Sequence, residues 1–85
     1  MEDEEIKSAV KGFILDEFLP GEDPSALTSD TPLITGGILD SLATLKLVSF
    51  LEENFGLSLA AHEVDTEYLN TLDDITNLVR SKQSV

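Results

Sequence analysis

Gly37-Ile38-Leu39-Asp40-Ser41-Leu42 leads directly into an apolar-rich stretch, Leu45 to Phe55, that stops at Gly56. This segment decides the fold. Between 41 and 55, Leu47, Val48, Leu51 and Phe55 fall on one face at 3.6 residues per turn, and no period-two alternation competes with that pattern. Asp40 is a residue type whose carboxylate caps the free N–H groups of a first turn. Gly56 is the type that closes a helix in the left-handed conformation. The stretch therefore predicts a helix over 41–55, entered through a turn at Gly36-Gly37. Ser41, Leu45, Ser49 and Glu52 project along another line, with Leu42 and Lys46 beside it. Leu42 and Leu45 are thus expected next to Ser41 and away from the deep core, with Phe50 between the two faces.

On the N-terminal side, Ile6, Val10, Phe13, Ile14 and Phe18 predict an amphipathic helix over 3–19. Glu2 to Glu5 lie at its start, where negative charge suits the helix dipole, and Pro20-Gly21 stops it. Residues 20–40 form a long connection punctuated by Pro24, Pro32, Gly36 and Gly37. A connection of that length in a small domain is often functional. Leu27, Leu33, Ile34, Ile38 and Leu39 are expected to pin it to the core, with a short helical turn near Asp30 to Ile34.

On the C-terminal side, a short helix is expected around Glu63 to Glu67. Thr71 and Asp74 have the spacing of a capping box. They open a last helix from about Leu72 to Lys82, with Leu72, Ile75, Leu78 and Val79 inward and Arg80 and Lys82 at the cation-favouring end. The tail Gln83-Ser84-Val85 is expected to fray. The sum is an all-α fold, a small four-helix bundle of three main helices and one short one. A single domain is expected over 1–85, its core about 3–82.

The size supports this reading. The chain has 85 residues, 41% of them hydrophobic, enough for one core that buries roughly 60–65% of the unfolded surface. There is no cysteine, which removes disulfides and thiolate metal sites and suits a reducing cytoplasm. No apolar run is long enough to span a bilayer, and the acidic N-terminus lacks the basic region of a signal peptide. With 17 acidic and 5 basic side chains the formal net charge is -12. That argues against nucleic acid and against anionic membranes. It favours protein partners with basic patches, approached by electrostatic steering; a monomer is expected.

Ser41 has a specific chemical opportunity. The N–H groups of a first helical turn lack intrahelical acceptors, and with the dipole they favour an anion. A phosphodiester on Ser41 would sit in that field. Nothing adjacent activates the hydroxyl as a nucleophile. A hydrolase pairing Ser41 with His62 and Asp40 would need a strained Gly-x-Ser-x-Gly elbow, which is absent. No calcium-binding loop or phosphate-binding loop occurs either, so no enzymatic activity is expected.

From Ile6 to Val79 the chain resembles the acyl and peptidyl carrier proteins. The resemblance is densest at Gly37-Ile38-Leu39-Asp40-Ser41-Leu42 and at Leu51-Glu52-Glu53-Asn54-Phe55-Gly56. The Leu39-Asp40-Ser41 form, and the spacing to Val64-Asp65 and Thr71, look more like stand-alone carriers of the D-alanyl carrier type than like fatty-acid carriers. The resemblance implies that Ser41, with Asp40 beside it, is the cofactor site. A phosphopantetheinyl transferase would attach 4'-phosphopantetheine from coenzyme A there. It implies a discrete carrier that holds an acyl or aminoacyl group as a thioester. The carrier would present that group to an adenylating ligase and to downstream transferases or synthases. Asp40, Leu42, Leu45, Glu52 and Glu53 match positions that contact such partners. Ala43 and Lys46 depart from fatty-acid carriers, which are often acidic there, and imply a dedicated loading ligase.

Read without the resemblance, Ser41 is equally a helix-start residue beside its cap. The chain would then be an acidic helical interaction module using exposed leucines, with Ser41 unmodified. The large Phe13, Phe18, Phe50 and Phe55 are expected to fill the core and so to favour a short or polar cargo.

Overall fold

Ile6, Val10 and Ile14, one helical turn apart, are all fully buried, and they set the inner face of α1 (Asp3–Phe18). The computed structural model describes residues 3–83. Beyond α1 it contains α2 (Ser41–Phe55), a single-turn α3 (Thr66–Leu69) and α4 (Leu72–Gln83). No strand occurs among the described residues. The architecture is the all-α four-helix arrangement expected, with α1 lying against α4 more extensively than against α2.

The core is aliphatic. Leu47 and Leu51 of α2 and Leu69, Leu72, Ile75 and Val79 around α4 are all essentially inaccessible, and the three loop leucines Leu27, Leu33 and Leu39 join them. The long connection is therefore pinned as expected, with Ile34 and Ile38 packed partly buried against the same cluster. Thr76 is buried too, and its hydroxyl donates to the Leu72 carbonyl at 2.7 Å, so no polar group is left unmet there.

The phenylalanines depart from expectation. All four are only partly buried. They form a rim along α1 and α2, with Phe13 stacked on Phe50 at 4.2 Å between centroids and Phe18 and Phe55 edge-on to them. Branched aliphatic side chains fill the centre instead, because three helices and a loop converge there with little space for planar rings.

Other boundaries shift. The helical turn expected near Asp30 to Ile34 lies earlier, a 3-10 turn at Pro24–Ala26. There Asp23 accepts from the Ser25 N–H, and Pro24 takes the first helical position, where its missing donor costs nothing. Residues 34–37 form only a turn, Gly37 N–H to Ile34 carbonyl. The short helix expected at Glu63 to Glu67 is split into a 3-10 turn at Ala61–Glu63 and α3, because Asp65 caps Thr66 and restarts the helix. Thr71 caps α4 by accepting from the Asp74 N–H at 3.0 Å. Gln83 remains helical at the end of α4. Glu2, Ser84 and Val85 lie outside the described residues.

Among the described residues, the ion pairs Lys7–Asp73 and Arg80–Asp3 tie α4 to α1, and Lys82–Glu63 ties it to the 3-10 turn before α3. The Asp73 carboxylate raises the Lys7 pKa above its ordinary value. The Lys82 ammonium, helped by the Ala60 N–H, lowers that of Glu63. Arg80 and Lys82 thus complement the α4 dipole and also clamp neighbouring elements.

Candidate serine site

Ser41 is the first residue of α2, exposed, at the point where the long connection ends. Its position is built from both sides. On the helix side, Asp40 adopts an extended conformation, and its Oδ1 accepts from the Ala43 N–H at 2.7 Å. The Asp40 carbonyl accepts from the Thr44 N–H at 2.9 Å and the Thr44 hydroxyl at 2.8 Å. Asp40 therefore acts as the expected cap. The N–H groups of Ser41 and Leu42, at the first two positions, have no acceptor within the helix.

On the loop side, Gly37 takes φ 84°, in the left-handed region. A Cβ on Gly36 would lie 2.2 Å from the Pro32 carbonyl oxygen. Both glycines are needed for the tight return that delivers Asp40 to the helix start. The Leu39 N–H closes that return on the Leu33 carbonyl at 2.8 Å.

An open groove of about 530 Å³ runs beside Ser41. Ile34 and Leu39 of the loop form one wall and Ser41, Thr44 and Leu45 of α2 another. Val64 and Thr66, from the approach to α3 and its first turn, close the third side. Its lining is mostly apolar, with Asp40, Ser41, Thr44 and Thr66 as the polar members. A phosphate ester on Ser41 would meet first-turn N–H groups that have no acceptor within the helix, and an attached arm would have a mostly apolar groove alongside. The residues present fit a phosphopantetheine group.

Leu42 and Leu45 are 66% and 57% exposed, large apolar side chains held in solvent next to Ser41. The helical projection placed them there. Leu42 overlooks a hollow with Phe18, Asp40 and Lys46. Glu53 is exposed and flanks a second hollow with Phe13, Lys46 and Phe50. Glu52 is half-buried, and its Oε2 accepts from the Leu59 N–H at 3.0 Å, fastening the α2–α3 connection. Ala43 is only 8% exposed and belongs to the core. It also lines the hollow beside Leu42 and Lys46. His62 is exposed on the 3-10 turn and pairs edge-on with Tyr68.

The sequence reading missed Thr44, Thr66 and Asn70. Asn70 holds the loop wall of the groove from a distant point in the chain, and no local pattern announces such a bond. Asp65 at the start of α3 was the available signal for Thr66.

No protein-family model matches the chain. Among known proteins, the D-alanyl carrier protein of Lacticaseibacillus casei is 32% identical over 83 residues, 98% of this chain and 100% of the relative. That of Lacticaseibacillus rhamnosus matches to the same extent. The D-alanyl carrier protein of Lactococcus lactis subsp. cremoris is 36% identical over 70 residues, 82% of this chain and 89% of its own.

Proposed function

The chain belongs to the family of stand-alone carrier proteins that includes the D-alanyl carrier proteins, and from that premise we propose that it bears 4'-phosphopantetheine on Ser41. One observation supports this most: an exposed serine at the first position of a capped helix, with a mostly apolar groove alongside. When bound, the arm supplies the terminal thiol that a chain without cysteine lacks, and with it the capacity to hold an acyl or aminoacyl group as a thioester.

The chain's own residues perform the rest. Asp40 fixes the start of α2, so that Ser41 Oγ stands clear of the surface for a phosphopantetheinyl transferase. The N–H groups of Ser41 and Leu42 offer a field that favours the phosphodiester. Leu42 and Leu45 provide apolar contacts for partner enzymes, and Glu53 provides charge; Glu52 adds to that edge while latching its own loop. Contacts of this kind, small and partly electrostatic, suit a protein that must release each partner in turn. The partners are the transferase, an adenylating ligase that loads the arm, and downstream transferases or synthases. Lys46, a cation on an otherwise acidic chain, favours a dedicated ligase.

The relatives' names make D-alanine the first cargo to test. A short polar cargo also suits an open groove whose lining includes Thr44 and Thr66, in a domain whose centre is already filled by aliphatic side chains.

Intact-mass measurement after incubation with coenzyme A and a promiscuous transferase tests the reading. The parent gains one phosphopantetheinyl group and Ser41→Ala gains none. A folded parent that gains nothing removes the proposal and leaves the acidic interaction module.

A further inference from the structure

Asn70 sits between α3 and α4, far in sequence from the serine, yet it holds the wall of the serine's groove. Its side-chain oxygen accepts from the N–H groups of both Ile34 and Thr35, each at 3.0 Å. Its own carbonyl accepts from the Leu33 N–H at 2.6 Å. The Thr35 hydroxyl approaches the same side-chain oxygen at 3.4 Å. Two good N–H donors fill the two lone pairs of an amide oxygen. Asn70 is thus the partner of three consecutive loop residues, Leu33, Ile34 and Thr35.

The consequences reach Ser41 by two routes. Ile34 is a wall of the groove, and the wall opposite, Val64 and Thr66, belongs to the segment that ends at Asn70. The Asn70 side chain therefore ties the Ile34 wall to the opposite one, beside the main-chain bond from Leu33. In addition, Leu33, whose N–H is bound to Asn70, receives the Leu39 N–H on its carbonyl at 2.8 Å, and Leu39 directly precedes Asp40 and Ser41. Ser41 is referred back through that main-chain path to the segment whose neighbouring residues, Ile34 and Thr35, the Asn70 side chain holds.

We infer that Asn70 is a positioning residue for the carrier site: it sets the width of the groove and the presentation of Ser41, without touching the arm or the transferring enzyme. This rests on the carrier reading. A second tie, Asp73 N–H to Ser29 carbonyl at 3.2 Å, holds the earlier part of the loop. Loss of the Asn70 side chain therefore frees the Ile34 and Thr35 N–H groups, while the Leu33 N–H keeps the main-chain carbonyl of residue 70 and the loop stays attached. The core residues of the helices, Leu47 and Ile75 among them, make no hydrogen bond to the Asn70 side chain.

The test is the kinetics of arm transfer from coenzyme A by a promiscuous transferase to the parent, Asn70→Ala and Asn70→Asp. Amide hydrogen exchange is followed in each at Ile34, Thr35, Leu47 and Ile75. Asn70→Ala lowers kcat/KM about tenfold or more, the scale of a small misplacement of a reacting group. It also speeds exchange at Ile34 and Thr35 while Leu47 and Ile75 stay at parental protection. Asn70→Asp, which keeps an acceptor oxygen, restores kcat/KM to within about threefold. Should the alanine variant not fold, Asn70→Gln carries the acceptor one methylene too far and gives the same loss. Transfer to Asn70→Ala at the parental rate overturns the inference, as does a loss of rate with exchange rising equally at Leu47 and Ile75. A parent that accepts no arm fails the carrier reading itself, a result distinct from either.

Discussion

Asp40 and Ser41 are neighbours with opposite expected consequences when changed. Asp40→Ala removes the carboxylate that accepts from the Ala43 N–H at 2.7 Å, and loss of such a cap costs about 1 kcal/mol, within roughly 0.5–2. In a domain this small each kcal/mol moves the melting temperature by about 4–8 °C, so the variant should melt about 5 °C or more below the parent. Asp40→Asn keeps the acceptor and recovers most of that. Ser41→Ala removes a hydroxyl that makes no hydrogen bond among the described residues and substitutes the best helix former. Its stability should stay within about 0.5 kcal/mol of the parent, yet it should accept no phosphopantetheine. Thermal melts by circular dichroism, paired with intact mass after arm transfer, read both quantities on the same samples. A Ser41→Ala melt well below that of Asp40→Ala would refute the reasoning, because the serine would then be the structural residue of the pair.

Three further outcomes follow from the geometry. Gly36→Ala places a Cβ 2.2 Å from the Pro32 carbonyl oxygen; the loop must shift at a cost of about 1–3 kcal/mol, read as a lower urea midpoint with unchanged slope. Glu63, its pKa lowered from the ordinary 4.5 chiefly by Lys82, contributes stability that is present above the unfolded value and lost as pH falls through the lower folded value. Melts of Glu63→Gln between neutral pH and pH 3 should therefore converge on the parent at the acid end, and a gap that widens on acidification contradicts the assignment. Leu42→Ser and Leu45→Ser, at positions 66% and 57% exposed, should leave the melt within about 0.5 kcal/mol while lowering the kcat/KM of ligase loading; an unchanged loading rate would remove these leucines from the partner surface.

The main helices were legible because their signals are local. Pro20-Gly21 closes α1, Asp40 opens α2, Gly56 closes it with φ 62°, and Thr71 opens α4. The loop leucines were legible as apolar residues in a polar stretch. What escaped depends on three dimensions. Asn70 bonds to residues 35 and 36 positions away, and Glu52 bonds across a turn to Leu59, where a helical projection shows only a half-solvated acid. The turn at Pro24–Ala26 carries a local signal, Asp23 as cap before Pro24. The phenylalanines were misplaced because hydrophobicity tells that a side chain seeks burial and not whether a ring fits a centre shared by three helices. The burial of Ala43 follows from the same helical period that buries Leu47 and Leu51.

The central claim, that Ser41 is the anchor of a carried group, is tested most directly on protein taken from its own cells, acid-quenched and digested, by the mass of the peptide spanning Ser41. The account predicts a phosphopantetheinyl group on that serine, a fraction of it bearing a further acyl or aminoacyl mass that hydroxylamine removes. A Ser41 peptide recovered wholly unmodified from growing cells would contradict it.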